Sequence, residues 1–236
     1  MKINTILITL CFFVYLPSAA AWGWNVHQNL AEKVYNSFQI DVQANLNLTL
    51  IKEGSIAPDK VFKNNRLHHY PPTYGLTKEW FDKAREAYEN KDYNNASYAF
   101  GVMTHYISDS FVAPHYINGE DYKLHAQFEN QVKNYELKTK CNKQKYDLNK
   151  SLYYGSIAAE KEWEPWLASR DSLIPKNEAE RAVELLYSVS LDLFNTSCIT
   201  PAKVEYSYFK LSKRFIVISA IISIIILFLL IDLLKD

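Results

Sequence analysis

The chain has 236 residues, with 26 basic and 26 acidic side chains, 48% apolar residues and 14% aromatic residues. These values exclude a disordered tail, a collagen and a polybasic nucleic-acid arm. A formal net charge of zero gives no long-range field that attracts a polyanion, so any contact with phosphate has to come from a local site. The length suits one hydrophobic core and predicts one folded domain.

The first 21 residues have the features of a secretory signal peptide. Lys2 precedes an apolar stretch from Ile6 to Leu16, and small residues follow at 18–21 (Ser-Ala-Ala-Ala). We predict cleavage after Ala21, which makes Trp22 the N-terminus of the mature protein. The alternative is an uncleaved membrane anchor.

The spacing of apolar residues predicts an all-α, multi-helix domain. Apolar residues recur every four positions in two stretches: Val26, Leu30, Val34 and Phe38, and then Trp80, Ala84 and Tyr88. Thr77 is the predicted N-cap of the second stretch. Further helices are predicted over residues 93–111, 119–135, 151–169 and 177–193. Prolines are predicted to separate the helices, at Pro58, Pro71, Pro72, Pro114 and Pro175. Residues 41–75 are predicted to be rich in loops.

Two cysteines remain once Cys11 leaves with the signal peptide. In an exported domain we predict that Cys141 and Cys198 form a disulfide. Four Asn-x-Ser/Thr tripeptides are compatible with a glycosylated surface, at Asn47, Asn95, Asn149 and Asn195.

The C-terminal region contains a predicted membrane helix. Residues 215–231 are 17 consecutive uncharged residues, and Leu233 and Leu234 extend this stretch beyond Asp232. A buried C-terminal helix, or a tail removed in processing, is the alternative. The predicted organisation is a signal peptide at 1–21, a folded domain at 22–210 and a transmembrane helix at 215–234. The protein is then exported and membrane-anchored, with its domain outside the cytoplasm.

The six histidines all lie between Trp22 and Glu129. His105 and Asp109 are four residues apart on a predicted helix, so both side chains project from one face and can reach a common ion. Pro114 ends that region and is followed by His115. The pair His125 and Glu129 then repeats the four-residue spacing. Either pair alone would suit a surface hydrogen bond or an ion pair, but the joint pattern favours metal ions, with zinc preferred over manganese or iron.

The same residues carry a family resemblance. The pattern His105-x3-Asp109-x5-His115, followed by His125-x3-Glu129, resembles the core signature of the bacterial zinc-dependent phospholipases C, a family related to the fungal single-strand-specific nucleases. The resemblance covers roughly residues 22–135, with a compatible all-α remainder. In that family the mature chain begins with a Trp whose amino nitrogen and carbonyl oxygen bind zinc.

The resemblance implies three zinc ions. The first would be held by Asp59, His68, His105 and Asp109; the second by Trp22, His27 and Asp109; the third by His115, His125 and Glu129. His69 is the alternative to His68, because either histidine fits the His-aromatic pattern that precedes Pro71.

The resemblance also implies an activity. The protein is expected to hydrolyse phospholipids with metal-activated water, as a phospholipase C that releases diacylglycerol and a phosphorylated head group. Asp59 would also orient or deprotonate the attacking water. The alternatives are an extracytoplasmic nuclease or nucleotidase, and a binding module in which the ions are structural. The expected partners are a phosphodiester substrate and the membrane; no protein partner is predicted.

Overall fold

The computed structural model describes residues 23–119 and 121–199, and this part of the chain is helical. Its α-helices are α1 Asn25–Tyr35, α2 Ile40–Asn45, α3 Leu48–Gly54, α4 Pro72–Glu89, α5 Tyr93–Asp109, α6 Tyr122–Asn130, α7 Leu148–Ser169 and α8 Leu173–Leu193. A π turn at Pro58–Phe62 and 3-10 turns at Asn65–Leu67 and Ala113–Tyr116 lie between them. No β-strand occurs in this part of the chain, so the all-α prediction is confirmed.

Helix α5 occupies the middle of the domain. Its N-cap is Asp92, whose side chain accepts a hydrogen bond from the Asn95 backbone N–H. Every residue from Ala99 to Ser110 is buried, since α1, α3, α4 and α8 all pack against this helix. A helix that is apolar on most of its faces has to be enclosed in this way. Its C-terminal turn, which carries His105 and Asp109, therefore lies deep in the protein.

Helices α3 and α5 cross at two glycines. A Cβ on Gly54 would overlap the carbonyl oxygen of Tyr98, and a Cβ on Gly101 would overlap the carbonyl oxygen of Ile51. Both obstacles are backbone atoms, which cannot move aside as a flexible side chain can. This close approach brings the Ser55 carbonyl at the end of α3 within hydrogen-bonding distance of His105.

Three phenylalanine rings join the two ends of the domain to its centre. Phe38 follows α1, Phe100 lies on α5 and Phe194 follows α8, with ring centroids 5.2–5.7 Å apart. Such edge-on contacts stabilise the core beyond simple burial. The Cys141–Cys198 disulfide is present as predicted, and an isolated antiparallel bridge pairs Cys198 with Phe38.

Several helix boundaries differ from those predicted from the sequence. The predicted cap Thr77 is wrong: α4 begins at Pro72, where a missing N–H is tolerated, and Thr77 is buried inside the helix. Pro175 lies in the first turn of α8 for the same reason. Residues 41–75 hold α2 and α3 instead of mostly loops, because the Asn47 side chain caps α3.

Some predictions concern residues outside the described ranges. The signal peptide, Trp22 and the transmembrane helix at 215–234 lie outside the residues that the structure describes. Within 23–119 and 121–199, no helix combines the length and apolarity that a membrane crossing requires.

The crossing of α3 and α5 can be tested with Gly101→Ala. We expect this variant to lose about 1–3 kcal/mol of unfolding free energy, because the new methyl group overpacks against backbone. Gly75→Ala is the matched control, since Gly75 lies in α4 with nothing within 4 Å of the added Cβ. The control should be neutral or gain up to about 1 kcal/mol. Urea denaturation of both variants measures the difference, and equal stabilities would contradict the proposed close approach.

Candidate metal centre

Three groups of side chains each offer two histidine nitrogens and one carboxylate oxygen within 4.8 Å of one another. We refer to them as the first, second and third triads: Asp59, His68 and His105; His27, His105 and Asp109; His115, His125 and Glu129. Two histidines and a carboxylate are the protein ligands of many catalytic zinc sites, which keep a further position open. Of the predicted ligand residues that the structure describes, the triads bring together all except His69.

Asp109, a member of the second triad, also contacts the first triad. Its Oδ2 lies 3.0 Å from Nδ1 of His68 and 2.9 Å from Nε2 of His105. Its Oδ1 lies 3.3 Å from Nε2 of His27 on the other side. The side chain is 1% exposed, and Oδ1 accepts no hydrogen bond from the described residues. A buried carboxylate in this state needs a cation to compensate it.

Serine and backbone oxygens orient His27 and His105. The Nδ1–H of His105 donates to the Ser55 carbonyl oxygen at 2.8 Å, which leaves Nε2 facing Asp109. The Ser108 hydroxyl donates to the His105 carbonyl oxygen, so its own oxygen accepts from Nδ1 of His27 at 3.1 Å. Both rings thus turn Nε2 toward the cluster. Metal-binding histidines commonly have the second ring nitrogen fixed in this manner.

His68 and His115 are oriented in the same way. The amide of Asn64 donates to the Tyr106 hydroxyl at 2.8 Å, so its oxygen accepts from Nε2 of His68 at 2.9 Å. Nδ1 of His68 then faces Asp109. The Nδ1–H of His115 donates to the backbone carbonyl oxygen of Asp109 at 3.2 Å, and its Nε2 faces Glu129.

The third triad is built on α6 and the turn before it. Asp121 caps α6 by accepting from the Lys123 N–H, and the helix then presents His125 and Glu129 on one face. Nε2 of His125 lies 2.7 Å from Oε1 of Glu129, and Nε2 of His115 lies 3.7 Å from the same oxygen. Oε2 of Glu129 is buried without a hydrogen-bond partner among the described residues.

His68 is the histidine that joins the cluster. It is 3% exposed, and its Nδ1 lies 3.3 Å from Oδ1 of Asp59. His69 instead donates from Nδ1 to its neighbour's carbonyl, the Tyr70 oxygen, and belongs to no triad, although it lines the same cavity. The geometry therefore favours His68, and His69 has no place among the ligand groups.

Burial and the neighbouring charges together set the pKa values in the cluster. Burial lowers the pKa of His115 to about 3 and also holds that of His27 well below its ordinary value, so both rings are neutral. Burial alone would lower the pKa of His105, but the Asp109 and Asp59 carboxylates raise it to about 9. Burial raises the pKa of Glu129 to about 7. Neutral imidazoles are the form that binds a metal, and a metal ion would displace the remaining protons.

Asp59 is the most accessible carboxylate of the three triads. The π turn at Pro58–Phe62 places it with 12% of its side chain exposed, against 1% for Asp109 and Glu129. Burial raises its pKa above the ordinary range. A carboxylate with a raised pKa at the edge of a metal cluster can accept a proton from a nearby water.

All three triads open into one cavity of about 370 Å³. Other residues of its wall include Asn65, Arg66, Asn118 and Tyr122. Structural zinc sites are closed by four protein ligands, whereas catalytic sites leave room for water or substrate. The opening is therefore the arrangement expected of a catalytic cluster.

Four residues that orient the ligands were not recognised in the sequence. Ser55, Asn64 and Ser108 fix histidine rings, as described above. Glu178 on α8 is fully buried and accepts a hydrogen bond at 3.3 Å from the Ala113 N–H, in the turn that presents His115. Burial raises the pKa of Glu178 well above its ordinary value. Asn64 lies four residues before His68, a local spacing that could have indicated its role, whereas Ser55, Ser108 and Glu178 are distant in sequence from the groups named here.

The donor set fits zinc. Nitrogen and carboxylate oxygen donors are present in the ratio that catalytic zinc sites use, and two buried carboxylate oxygens of the triads, on Asp109 and Glu129, have no hydrogen-bond partner in the described part of the chain. A family model described as zinc dependent phospholipase C matches residues 26–189, more than half of the chain. The chain belongs to the zinc-dependent phospholipase C family. Membership makes it a zinc-dependent phosphodiester hydrolase. A comparison with curated proteins finds no match.

The hydrogen bond between Ser108 and His27 provides a test of how the metal ligands are oriented. Ser108→Ala removes the oxygen that accepts from His27, so zinc affinity should fall by about 10–100-fold. Ser110→Ala is the matched control: Ser110 is equally buried, one residue beyond α5, but bonds Thr73 and the Tyr106 carbonyl. Competition against a chromophoric chelator measures both affinities. If both variants bind zinc like the wild type, Ser108 does not orient a ligand.

Proposed function

We propose that this protein is a three-zinc phospholipase C, which cleaves phospholipids into diacylglycerol and a phosphorylated head group. The observation that carries the proposal is the joint opening of three triads, each of two histidines and a carboxylate, into one cavity, in a chain of this family. Several ions facing one cavity suit a phosphodiester, whose non-bridging oxygens carry the charge that metal ions neutralise.

The proposed ligand sets follow the contacts. Asp59, His68, His105 and Asp109 hold one ion, and His115, His125 and Glu129 hold another. Trp22, through its amino nitrogen and carbonyl oxygen, holds the remaining ion with His27 and Asp109. Support for a bridging Asp109 comes from its two oxygens, which face different triads.

In this proposal zinc, Asp59 and the hydrogen bonds of the histidine ligands each have a different role. When bound, zinc would supply Lewis-acid charge and lower the pKa of water toward about 7. Asp59 accepts the proton of the attacking water, because it is the carboxylate of the cluster nearest to solvent. The hydrogen bonds from His27, His68 and His105 to Ser108, Asn64 and Ser55 keep the ligands fixed during turnover.

We also propose that the protein is exported and held at a membrane by residues 215–234. The signal-peptide pattern and the uncharged C-terminal stretch support this placement. The Cys141–Cys198 disulfide supports it as well, because disulfides persist in oxidising compartments.

The activity is tested by incubating the mature chain with mixed phospholipid micelles and measuring diacylglycerol release. Release should stop with a chelator and return with zinc. Single-stranded nucleic acid is the comparison substrate: cleavage of it, with zinc sites filled and no diacylglycerol formed, would replace the proposed activity by that of a nuclease.

Two isosteric substitutions test the bridging role of Asp109. Asp109→Asn should retain one zinc ion of three, because it removes a shared ligand, whereas Glu129→Gln should retain two. Both should lower kcat by at least about 100-fold, beyond the 10–100-fold cost of changes outside the ligand set. Metal analysis after dialysis counts the ions, and circular dichroism verifies that the helices persist. Loss of only one ion in Asp109→Asn would disprove the bridge.

The role of Trp22 makes maturation part of the mechanism. One extra residue before Trp22 turns its amine into an amide, which cannot coordinate as an amine does, so we expect most activity and one zinc ion to be lost. A chain extended instead at its C-terminus is the control. Full activity with three ions in the N-terminally extended chain would contradict the ligand assignment.

A further inference from the structure

Three apolar side chains stand exposed in one short segment beside the cavity. Val61, Phe62 and Leu67 lie within seven consecutive positions and expose 62%, 36% and 38% of their surface. We refer to residues 60–67 as the docking segment. Exposed apolar side chains that lie close together in sequence and next to a cavity form a candidate interaction surface.

The docking segment borders the metal cluster. The residues on either side of it, Asp59 and His68, belong to the first triad. Asn65 and Arg66 line the cavity of the triads and also an adjoining cavity that reaches Lys63 and Leu67. Anything that contacts this segment therefore lies next to the candidate catalytic site.

The local structure holds Phe62 of the docking segment against the domain. The ring of Phe62 stacks on Trp80 of α4, with centroids 5.6 Å apart and an interplanar angle of 13°. Lys63 then takes a left-handed conformation, with φ of 52°, and ends the π turn. Phe62 is thus anchored to the domain, while Val61 beside it remains largely exposed.

The charges of the segment are all positive. Lys60, Lys63 and Arg66 lie within it, and it contains no acidic residue. Among the described residues, Lys63 and Arg66 form no ion pair, and Lys60 stands over the Trp24 ring at 5.1 Å. Cations interleaved with exposed apolar side chains bind anionic lipid surfaces, since the cations face the head groups and the apolar groups enter the boundary of the acyl chains.

We propose that the docking segment is the face that rests on an anionic phospholipid surface and sets the cavity against it. The proposal rests on the proposed function, because a lipid substrate has to bring its head group into the cavity while its acyl chains stay in the bilayer. Charge complementarity selects this occupant over a second copy of the chain, which would bring the same three cations against one another.

The experiment places an environment-sensitive fluorophore on Val61→Cys in the mature chain that begins at Trp22, whose two other cysteines form the Cys141–Cys198 disulfide, and reconstitutes it in vesicles. In vesicles with about one-third phosphatidylserine, emission from position 61 should shift to shorter wavelength relative to pure phosphatidylcholine vesicles. The control is Leu173→Cys, because Leu173 is 58% exposed at the start of α8 and lines neither cavity. The label at position 173 should emit at the same wavelength in both vesicles.

A second variant tests the charges. The double variant Lys60→Gln, Lys63→Gln should lower the equilibrium constant for contact of position 61 with phosphatidylserine vesicles by roughly fivefold per cation removed. Equal emission from position 61 in both vesicles, or an equal shift at position 173, would overturn the proposal. A shift that depends on protein concentration and not on lipid would also overturn it, in favour of self-association.

The two proposals fail in distinguishable ways. The fluorescence response involves no hydrolysis, so a shift without diacylglycerol release would leave the docking face standing and reject the activity. In the other direction, Val61→Asp should lower hydrolysis of vesicles by about tenfold but leave hydrolysis of monomeric dihexanoyl phospholipid unchanged, whereas Leu173→Asp should change neither. If Val61→Asp retains the same fraction of wild-type activity on vesicles as on monomers, the docking face is rejected and the proposed activity is not.

Discussion

The Asp109 carboxylate is the charge on which the rest of the site depends. It is buried at the C-terminal end of α5, where the helix dipole disfavours a negative charge, so only nearby cations can keep it ionised. Burial alone would raise its pKa, but the surrounding histidines, His105 foremost, hold it well below its ordinary value. The fold compensates this buried charge by surrounding it with nitrogen donors, which are the groups that bind zinc.

Helix α5 carries Asp109 at its C-terminal end and packs against the surrounding helices. Because α1 and α3 pack directly against α5, both supply atoms to the cluster without a long loop. Helix α1 contributes His27, and the end of α3 contributes the Ser55 carbonyl that orients His105. The two glycines at the α3–α5 crossing set that distance. Packing and metal binding are therefore not independent in this domain: a change in the crossing would alter the position of a ligand.

The sequence predicted the parts of this arrangement that depend on local spacing. His105 with Asp109, and His125 with Glu129, each project from one helix face because four residues span about one turn, and the structure groups them in triads. The all-α class also followed from the period of the apolar residues. The sequence favoured His68 and kept His69 as the alternative; the structure distinguishes them, because the His68 ring contacts Asp59 and Asp109.

The parts that the sequence did not predict depend on distant contacts. Ser55 is 50 residues from His105, and Ser108 is 81 residues from His27, so no local pattern joins them. Thr77 had the chemistry of an N-cap, but the tertiary burial of its side chain extended α4 back to Pro72. Residues 41–75 contain short helices that are stabilised by packing and by the Asn47 cap, and their apolar spacing is too brief to indicate a period.

The position of the disulfide determines which parts of the domain a proteolytic cut would separate. All the histidine and carboxylate ligands of the triads precede Cys141, while α7 and α8 lie between Cys141 and Cys198. A cut in the turn between α7 and α8 would leave α8 covalently attached to the half of the domain that carries the cluster. Glu178 and the Phe194 ring could then stay in place. A nicked chain would thus remain one molecule, and separation of its two pieces would require a reductant as well as a protease.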